Sequence, residues 1–441
     1  MNLIPNFLQR HIAGRPNLVK ILDNIGWLFL DKIFRMGIGL LLGIWIARAL
    51  GPEQFGILSF ATAFTALFAA IATLGLPSVV VRDIIKNPSD KNLILGTAAA
   101  LQLAGGLIAY SLMIATAFWI RADDPLLKSI VSILGSALLF KFADTAAYWF
   151  ESQVQSKYTV WAQNATFIVF AIVKVKLILG DASLLAFAWA ILAETVLSSA
   201  ILLAIFNLRG PKIASLRASW PTAQSLIRDS WPLLLSGIAI MVYMKTDQIM
   251  LGQMIGDHEV GIYSAAARIS EVWYFIPMII VTSVFPTIIN AKSRSEELYY
   301  QRFQKLFTFL AWTSVLIALP MTFLSTPLII VLYGPEYIES GQILAIHIWA
   351  SVFVSLGVAS SRWFIAENLP LLNFKRTAFG ALMNIILNLA LIPKYGAHGA
   401  ALATVASQAT SSFLVDCTSS QTRHIFLMKI KALNPLTLIK K

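Results

Sequence analysis

Long apolar runs separated by short polar connections extend along almost the whole chain of 441 residues. A helix needs about 20 mostly apolar residues to cross the hydrocarbon of a bilayer, and twelve runs reach about that length. They lie near 25–48, 54–76, 93–120, 126–149, 160–179, 183–207, 231–251, 262–288, 303–324, 340–364, 376–393 and 397–416. The pattern predicts an all-α polytopic membrane protein with about 12 transmembrane helices, in which the apolar segment 327–333 either extends the ninth helix or lies in the interface.

The composition agrees with a membrane protein and excludes other classes. Hydrophobic residues make up 58% of the chain, only 13% are charged, and the mean hydropathy is +0.74, whereas a soluble chain has about a quarter charged residues. Cys417 is the only cysteine, so a disulfide scaffold and a cysteine metal cluster are excluded. The first apolar run is too long for a cleaved signal peptide and carries Asp31, Lys32 and Arg35, so we expect it to remain as an anchor.

The basic residues are distributed unequally between the two sides of the predicted membrane. One alternating set of connections, which includes both termini, holds 21 Lys/Arg, and the opposite set holds 3. Cytoplasmic loops carry the excess of Lys and Arg, so we expect both termini in the cytoplasm. This topology explains most of the net charge of +12, and no nucleic-acid partner is indicated. The connections, at most about two dozen residues long, leave no room for a soluble catalytic domain.

Two similar passages, six helices apart, indicate an internal duplication. Gly51–Ala61 and Gly256–Ala266 share Gly, Gly, Ile, Ser and Ala at a constant offset of 205. A second similarity relates Gly180–Glu194 to Gly396–Thr410. Because six is an even number, both repeats start on the same side of the membrane. The sequence therefore predicts two pseudo-symmetric six-helix lobes around a central cleft, the architecture of an alternating-access transporter.

The duplication also predicts the domain organisation. Gly51-Pro52 and Gly256-Asp257 are expected to form hinge-like turns that end the first and seventh helices. The predicted parts are a cytoplasmic N-terminal segment (1–24), an N-lobe (25–207), a cytoplasmic inter-lobe loop (208–230), a C-lobe (231–416) and a basic cytoplasmic tail (417–441).

Fifteen charged residues lie inside the apolar runs. A charge at the bilayer centre costs at least about 2.5–3.5 kcal/mol, so these residues must pair, reach the interface or line a wet cavity. The bases are Lys32, Arg35, Arg48, Lys141, Lys174, Lys176, Lys245, Arg268, Lys305 and Arg362, and the acids are Asp31, Asp144, Glu194, Asp247 and Glu271. The excess of bases predicts a cleft that attracts an anion, and the planar fork of Arg suits phosphate.

Spacing allows some of these charges to neutralise each other locally, since residues three or four apart share a helix face. The pairs with this spacing are Asp31 with Arg35, Lys141 with Asp144, and Arg268 with Glu271. Glu194 has no basic neighbour three or four residues away and needs a partner on another helix, a proton or water. A coupling group and a plain interhelical salt bridge are both open interpretations of Glu194.

Seven segments spread along the chain carry a resemblance to a known family. They are Trp27–Met36, Ala47–Gly56, Asp247–Gly252, Glu259–Ala266, Tyr333–Tyr337, Asn384–Asn388 and Gly396–Thr404. These segments resemble the Wzx-type polysaccharide flippases of the multidrug/oligosaccharidyl-lipid/polysaccharide exporter superfamily. The resemblance implies two six-helix lobes in a bacterial inner membrane and translocation of an undecaprenyl-pyrophosphate-linked oligosaccharide from the cytoplasmic to the periplasmic leaflet. It further implies a role in O-antigen or other surface polysaccharide assembly, a cationic lumen, coupling to H⁺ or Na⁺, and a polymerase and chain-length proteins as pathway partners.

The candidate site residues combine the charge analysis with this resemblance. Substrate contact is assigned to Arg35, Lys141, Lys245 and Arg268, with Arg48 and Arg362 at the two mouths of the cleft. Ion coupling is assigned to Glu194 and Asp247, with Asp31 and Asp144 behind them. No catalytic residue, cofactor or metal site is expected, because flipping a lipid requires no covalent chemistry.

Two other functions are kept as alternatives. A multidrug cation antiporter of the same superfamily would need an acidic lumen, whereas ten bases stand against five acids inside the runs. A membrane enzyme such as an O-antigen polymerase would need a sizeable catalytic loop, which the short connections do not supply.

Overall fold

The computed structural model describes residues 16–435, and most of this range is α-helix. Residues 1–15 of the predicted N-terminal segment and 436–441 of the predicted tail lie outside the described residues. Within residues 16–435, nine helices are long and apolar enough to cross a membrane, or ten if the bent pair Pro335–His347 and Ala350–Ala366 counts as one span. The predicted all-α polytopic fold is confirmed.

Two very long helices each contain two of the twelve predicted runs. Helix α1 (Pro16–Thr73) has a non-helical residue at Gly51, between the first and second runs. Helix α14 (Pro370–Ser412) has one at Gly396, between the last two runs. Both glycines have positive φ, 73° and 53°, a conformation that a residue with a Cβ atom adopts only at a cost. These two glycines therefore separate the spans.

The described part of the chain divides into two compact units, of which the first contains residues 16–49 and 64–238. Besides α1, its helices are α2 (Pro77–Lys86), α3 (Lys91–Ile120), α4 (Pro125–Gly135), α5 (Asp144–Ser152), α6 (Lys157–Leu179), α7 (Leu184–Arg209) and the first part of α8 (Trp220–Met254). Three 3₁₀ segments accompany them, Pro88–Asp90, Ser136–Ala143 and Ile213–Ser215. Leu76, Phe150 and Phe206 lie in the buried apolar core of this unit.

The second unit contains residues 50–63 and 239–435 of the described chain. Besides the end of α8 and α14, its helices are α9 (Asp257–Val272), α10 (Phe275–Lys292), α11 (Glu296–Tyr333), α12 (Ile338–His347), α13 (Ala350–Ala366) and α15 (Arg423–Leu433), with 3₁₀ segments at Pro335–Tyr337 and Leu414–Cys417. Tyr299, Phe303 and Phe307 lie in its core.

Several connections differ in detail from the sequence-based expectation. The predicted inter-lobe loop 208–230 is shorter, because α7 ends at Arg209 and α8 already begins at Trp220. Helix α11 continues through Tyr333, so the apolar segment 327–333 extends the ninth helix. The predicted tail contains α15, which packs on α11, where Trp312 Nε1 donates to the Ala432 carbonyl at 3.1 Å. The predicted lobe boundaries otherwise stay a prediction.

The repeated motif forms a close, reciprocal helix crossing inside the second unit. A Cβ atom added to Gly56 on α1 would lie 1.7 Å from the Asp257 carbonyl oxygen, and one added to Gly261 on α9 would lie 1.9 Å from the Pro52 carbonyl oxygen. The two contacts are equivalent, since 52 and 56 correspond to 257 and 261 at the offset of 205. The repeated motif thus forms the contact between α1 and α9, and its small residues permit the close approach.

Candidate functional site

Arg35 on α1 connects two helices of the first unit. Its Nε lies 3.1 Å from Asp31 Oδ1 one turn earlier, and its Nη2 donates to Gln163 Oε1 on α6 at 3.0 Å. Asp31 is buried, whereas 38% of the Arg35 side chain is exposed. Trp27 and Trp161 join the same two helices edge to face, with ring centroids 6.1 Å apart. The expected local pair is formed, and Arg35 keeps accessible surface.

Lys141 and Asp144 also form the local pair that their spacing allows. The Lys141 Nζ lies 3.2 Å from Asp144 Oδ2, and about a third of each side chain is exposed. Lys141 belongs to the 3₁₀ segment that interrupts the fourth predicted run between α4 and α5. A 3₁₀ stretch inside a longer helix often marks a hinge, so this pair lies at a point where the span can bend.

Glu194 on α7 finds its partner on the neighbouring helix α6. Its Oε2 lies 2.6 Å from Lys174 Nζ, and both side chains are largely buried. The interhelical salt bridge, one of the two open interpretations of Glu194, is therefore present, and its role in coupling stays a prediction. Each of the three acids assigned to coupling in the first unit has a basic partner.

Asp247 on α8 is the exception, because it is buried among neutral donors of the second unit. Its carboxylate accepts hydrogen bonds from Asn384 at 2.9 Å, Asn388 at 2.6 Å and Tyr263 at 2.7 Å, and also from the Thr404 hydroxyl. Within the described part of the chain, no basic side chain forms an ion pair with it. Only 3% of Asp247 is exposed, and its contacts in the described part of the chain are neutral hydrogen-bond donors.

Helix α14 reverses direction at Gly396, and this reversal brings Asn384, Asn388 and Thr404 to the same carboxylate of Asp247. In a straight helix the twenty residues between Asn384 and Thr404 would span about 30 Å. Both nevertheless bond to the same carboxylate, so the two halves of α14 must run back alongside each other. Glu259 of α9 supports the break, since its Oε2 accepts the backbone N–H of Ala397 at 2.8 Å, at the start of the second half.

The Asp247 cluster has the chemistry of a site for a proton or a hard monovalent cation. Carboxylate, amide and hydroxyl oxygens are the ligands that hard cations prefer. Asn388 Oδ1 is buried and has no hydrogen-bond partner within the described range, so an oxygen acceptor is available beside the carboxylate. A bound cation or proton would supply the counter-charge that this buried, hydrogen-bonded carboxylate lacks.

The remaining predicted bases lie apart from these pairs. In the second unit, Arg268 lies over the Phe55 ring at 5.3 Å rather than against Glu271, and Arg362 lies over the Phe285 ring at 5.8 Å. Lys245 is half-buried two residues before Asp247, and Arg48, in the first unit, is exposed. Among the described residues, none of these four bases forms an ion pair. Of the four, Lys245 is the one that lies close to Asp247 along the chain, two residues before it on the same helix.

Sequence reasoning missed the partners that complete these sites. Asn384 and Asn388 appeared only as part of a family resemblance, although two Asn four residues apart in an apolar run share a helix face. That spacing is a signal of a polar cluster inside the membrane. Gln163 and Lys174 carry no comparable signal, because their partners lie on other helices.

Long apolar helices, a duplicated crossing motif and charged clusters inside the spans define a polytopic membrane protein of the transporter type. The particular family follows from the sequence comparisons: the chain belongs to the polysaccharide biosynthesis protein family, whose model matches residues 21–292, more than half of the chain. The MatE model matches residues 232–390.

Named relatives and a solved structure agree with this assignment. The chain is 24% identical over 393 residues to the probable low-salt glycan biosynthesis flippase Agl15 of Haloferax volcanii, covering 88% of this chain and 81% of the relative. It is 24% identical to the succinoglycan biosynthesis transport protein ExoT of Rhizobium meliloti, covering 75% and 66%. The fold is similar to the lipid II flippase MurJ in an inward closed conformation, with a TM-score of 0.72, 16% identity, and 93% and 91% of the chains covered. The resemblance to polysaccharide flippases is confirmed.

Proposed function

We propose that this protein is a flippase that moves a lipid-linked oligosaccharide between the leaflets of a membrane. The observation that supports the proposal most directly is the likeness to a flippase of glycan biosynthesis over 88% of the chain, together with the family match. The finer proposal is an undecaprenyl-pyrophosphate-linked repeat unit, carried from the cytoplasmic to the periplasmic leaflet of a bacterial inner membrane with both termini in the cytoplasm. Membrane lipids surround the polyprenyl tail throughout.

The charge distribution supports an anionic headgroup. The proposal assigns contact with the pyrophosphate to Lys245 and Arg268, which carry uncompensated charge, and to Arg35 and Lys141, which are partly exposed despite their acid partners. Arg and Lys bind phosphate through charge-assisted hydrogen bonds, which are roughly twice as strong as neutral ones.

Ion coupling is proposed at Asp247. Among the four acids assigned to coupling, Asp247 is the one without an ion pair in the described part of the chain, so a bound H⁺ or Na⁺ would supply its counter-charge. Lys245 lies two residues away on the same helix. Binding of a cation at Asp247 and of an anion near Lys245 would therefore influence each other electrostatically. The proposed secondary coupling groups are Glu194, Asp31 and Asp144. Each of these acids is paired with a base and would act by exchanging that base for another partner. Arg48 and Arg362 remain the proposed residues at the two mouths.

The test is complementation of a deletion strain with variants of the protein. Arg35→Ala or Arg268→Ala should abolish surface polysaccharide while the protein level stays unchanged. Lys305→Ala serves as a matched control, because Lys305 is an exposed base of a membrane-spanning helix that is not assigned to the substrate. Wild-type amounts of polysaccharide in both test variants would remove these residues from the proposed site.

The MatE match over residues 232–390 supports one alternative, a multidrug cation antiporter. Drug susceptibility distinguishes the two functions. Under the flippase proposal, the deletion strain lacks surface polysaccharide and keeps its ordinary resistance to cationic drugs. A strain with normal polysaccharide and increased drug sensitivity would favour the antiporter. If the repeat unit reached the periplasm but was not polymerised, the enzyme alternative would be favoured.

A further inference from the structure

A buried charged cluster lies in the second unit where α15 packs against α14. It consists of Arg376 on α14, Asp416 in the following 3₁₀ segment and Lys429 on α15, and at most 4% of each residue is exposed. Lys429 Nζ donates to Asp416 Oδ2 at 2.5 Å and to the Ser412 carbonyl at 2.6 Å. Lys429 is thus the close ionic partner of one carboxylate oxygen of Asp416.

Arg376 is left with a positive charge and unused donors. Its Nη1 lies 3.9 Å from Asp416 Oδ2, beyond hydrogen-bonding distance. Its Nη2 donates to Ser361 Oγ at 3.1 Å and Asn373 Oδ1 at 3.0 Å, whereas Nε and Nη1 have no hydrogen-bond partner within the described residues. Two buried bases share one acid, so the cluster carries a net positive charge. Such a charge is costly to bury unless an anion accompanies it.

A cavity of about 290 Å³ opens at this cluster. Arg376 and Asp416 line it together with Lys375, Ser419 and the aromatic rings of Phe364 and Phe379. Lys375 is exposed at its rim, which adds another positive charge. The apolar walls continue to the exposed Phe379. The cavity therefore combines a cationic interior with an apolar edge, as the headgroup of a membrane lipid requires.

We propose that this cavity binds a phosphate group, carried either by an anionic phospholipid or as free phosphate. Arg376 supplies a buried guanidinium with unused N–H donors, Lys375 supplies charge at the entrance, and the Ser419 hydroxyl supplies a further polar contact. The cavity lies on the side of the second unit that carries the basic segments 365–375 and 417–435, the predicted cytoplasmic side, where anionic lipids attract such segments. The proposal is independent of transport and of the Asp247 cluster.

The experiment measures ligand-dependent thermal stabilisation of the purified full-length protein in a neutral detergent. Three probes are compared: dioctanoyl phosphatidylglycerol, dioctanoylglycerol without phosphate, and inorganic phosphate. A ligand that binds the folded state raises the melting temperature with its concentration. We expect stabilisation by phosphatidylglycerol and none by dioctanoylglycerol. If inorganic phosphate stabilises equally well at the same concentration, the source is free phosphate; if only the lipid does so, the source is the lipid.

Two variants connect the effect to the cavity. Lys375→Gln should weaken binding about fivefold, the upper range for an exposed charge pair, without changing the melting temperature of the ligand-free protein. Lys394→Gln is the matched control, because Lys394 is an exposed lysine about 28 Å further along α14. Arg376→Met should weaken binding more than about tenfold, and Lys375→Gln keeps the test valid if that variant does not fold. Equal stabilisation by both lipids, or unchanged binding in Lys375→Gln, would overturn the proposal.

Discussion

Replacing Gly56 by Ala perturbs the reciprocal helix crossing with a single methyl group. That methyl would lie 1.7 Å from the Asp257 carbonyl oxygen, whereas ordinary contact begins at 3.4 Å, so α1 and α9 would have to separate by about 1.7 Å. Overpacking of this kind costs about 1–3 kcal/mol. The gain in helix propensity from Gly to Ala, about 0.8–1 kcal/mol, offsets only part of it. We expect a net loss of stability and reduced surface polysaccharide.

Gly37→Ala is the matched control on the same helix, because among the described residues no atom beyond the local helix backbone lies within 4 Å of the position that its Cβ would occupy. That variant should be neutral or slightly more stable. Thermal unfolding of both variants in detergent, beside complementation of a deletion strain, gives the comparison. The double variant of Gly56 and Gly261 should cost less than the sum of the single variants, since both substitutions separate the same pair of helices. If Gly56→Ala melts at the same temperature as Gly37→Ala, or if the two single costs are additive, the crossing does not have the proposed role.

Three further predictions concern charged groups. Asp247→Asn should abolish stabilisation by Na⁺ relative to choline and impair polysaccharide export, and a variant that still responds to Na⁺ would exclude this cluster as the ion site. Lys174→Gln and Glu194→Gln should each lower the melting temperature, because each leaves a largely buried charge unpaired. The double variant should regain part of the lost melting temperature. A double variant that melts no higher than the single variants would contradict a direct interaction. Burial lowers the pKa of Lys429 from 10.5 to about 8. The unfolded state therefore binds more protons between about pH 8 and 10.5, and stability should rise over this range. Lys429→Met should lose that rise, and a rise of the same size in Lys429→Met would refute the assignment.

The sequence predicted much of the fold because the relevant properties are local. The length and apolarity of a run decide whether it crosses a membrane, and the loop charges predict its orientation. The breaks at Gly51 and Gly396 could be anticipated because each glycine stands between two runs long enough to span. The constant offset of 205 predicts a duplication, since matching residues at a fixed spacing can be read from the sequence alone.

The tertiary structure decided which charges meet and which residues pack. Lys174 is 20 residues from Glu194, and the donors of Asp247 lie up to 157 residues away. Such partnerships depend on how each helix is rotated and placed against its neighbours, which no local pattern of apolar and polar positions contains. For the same reason, the sequence showed Gly56 and Gly261 as equivalent residues of a repeated motif, but it did not show that α1 and α9 approach each other closely at these residues. The sequence determined the spans, and packing determined which polar groups those spans bring together.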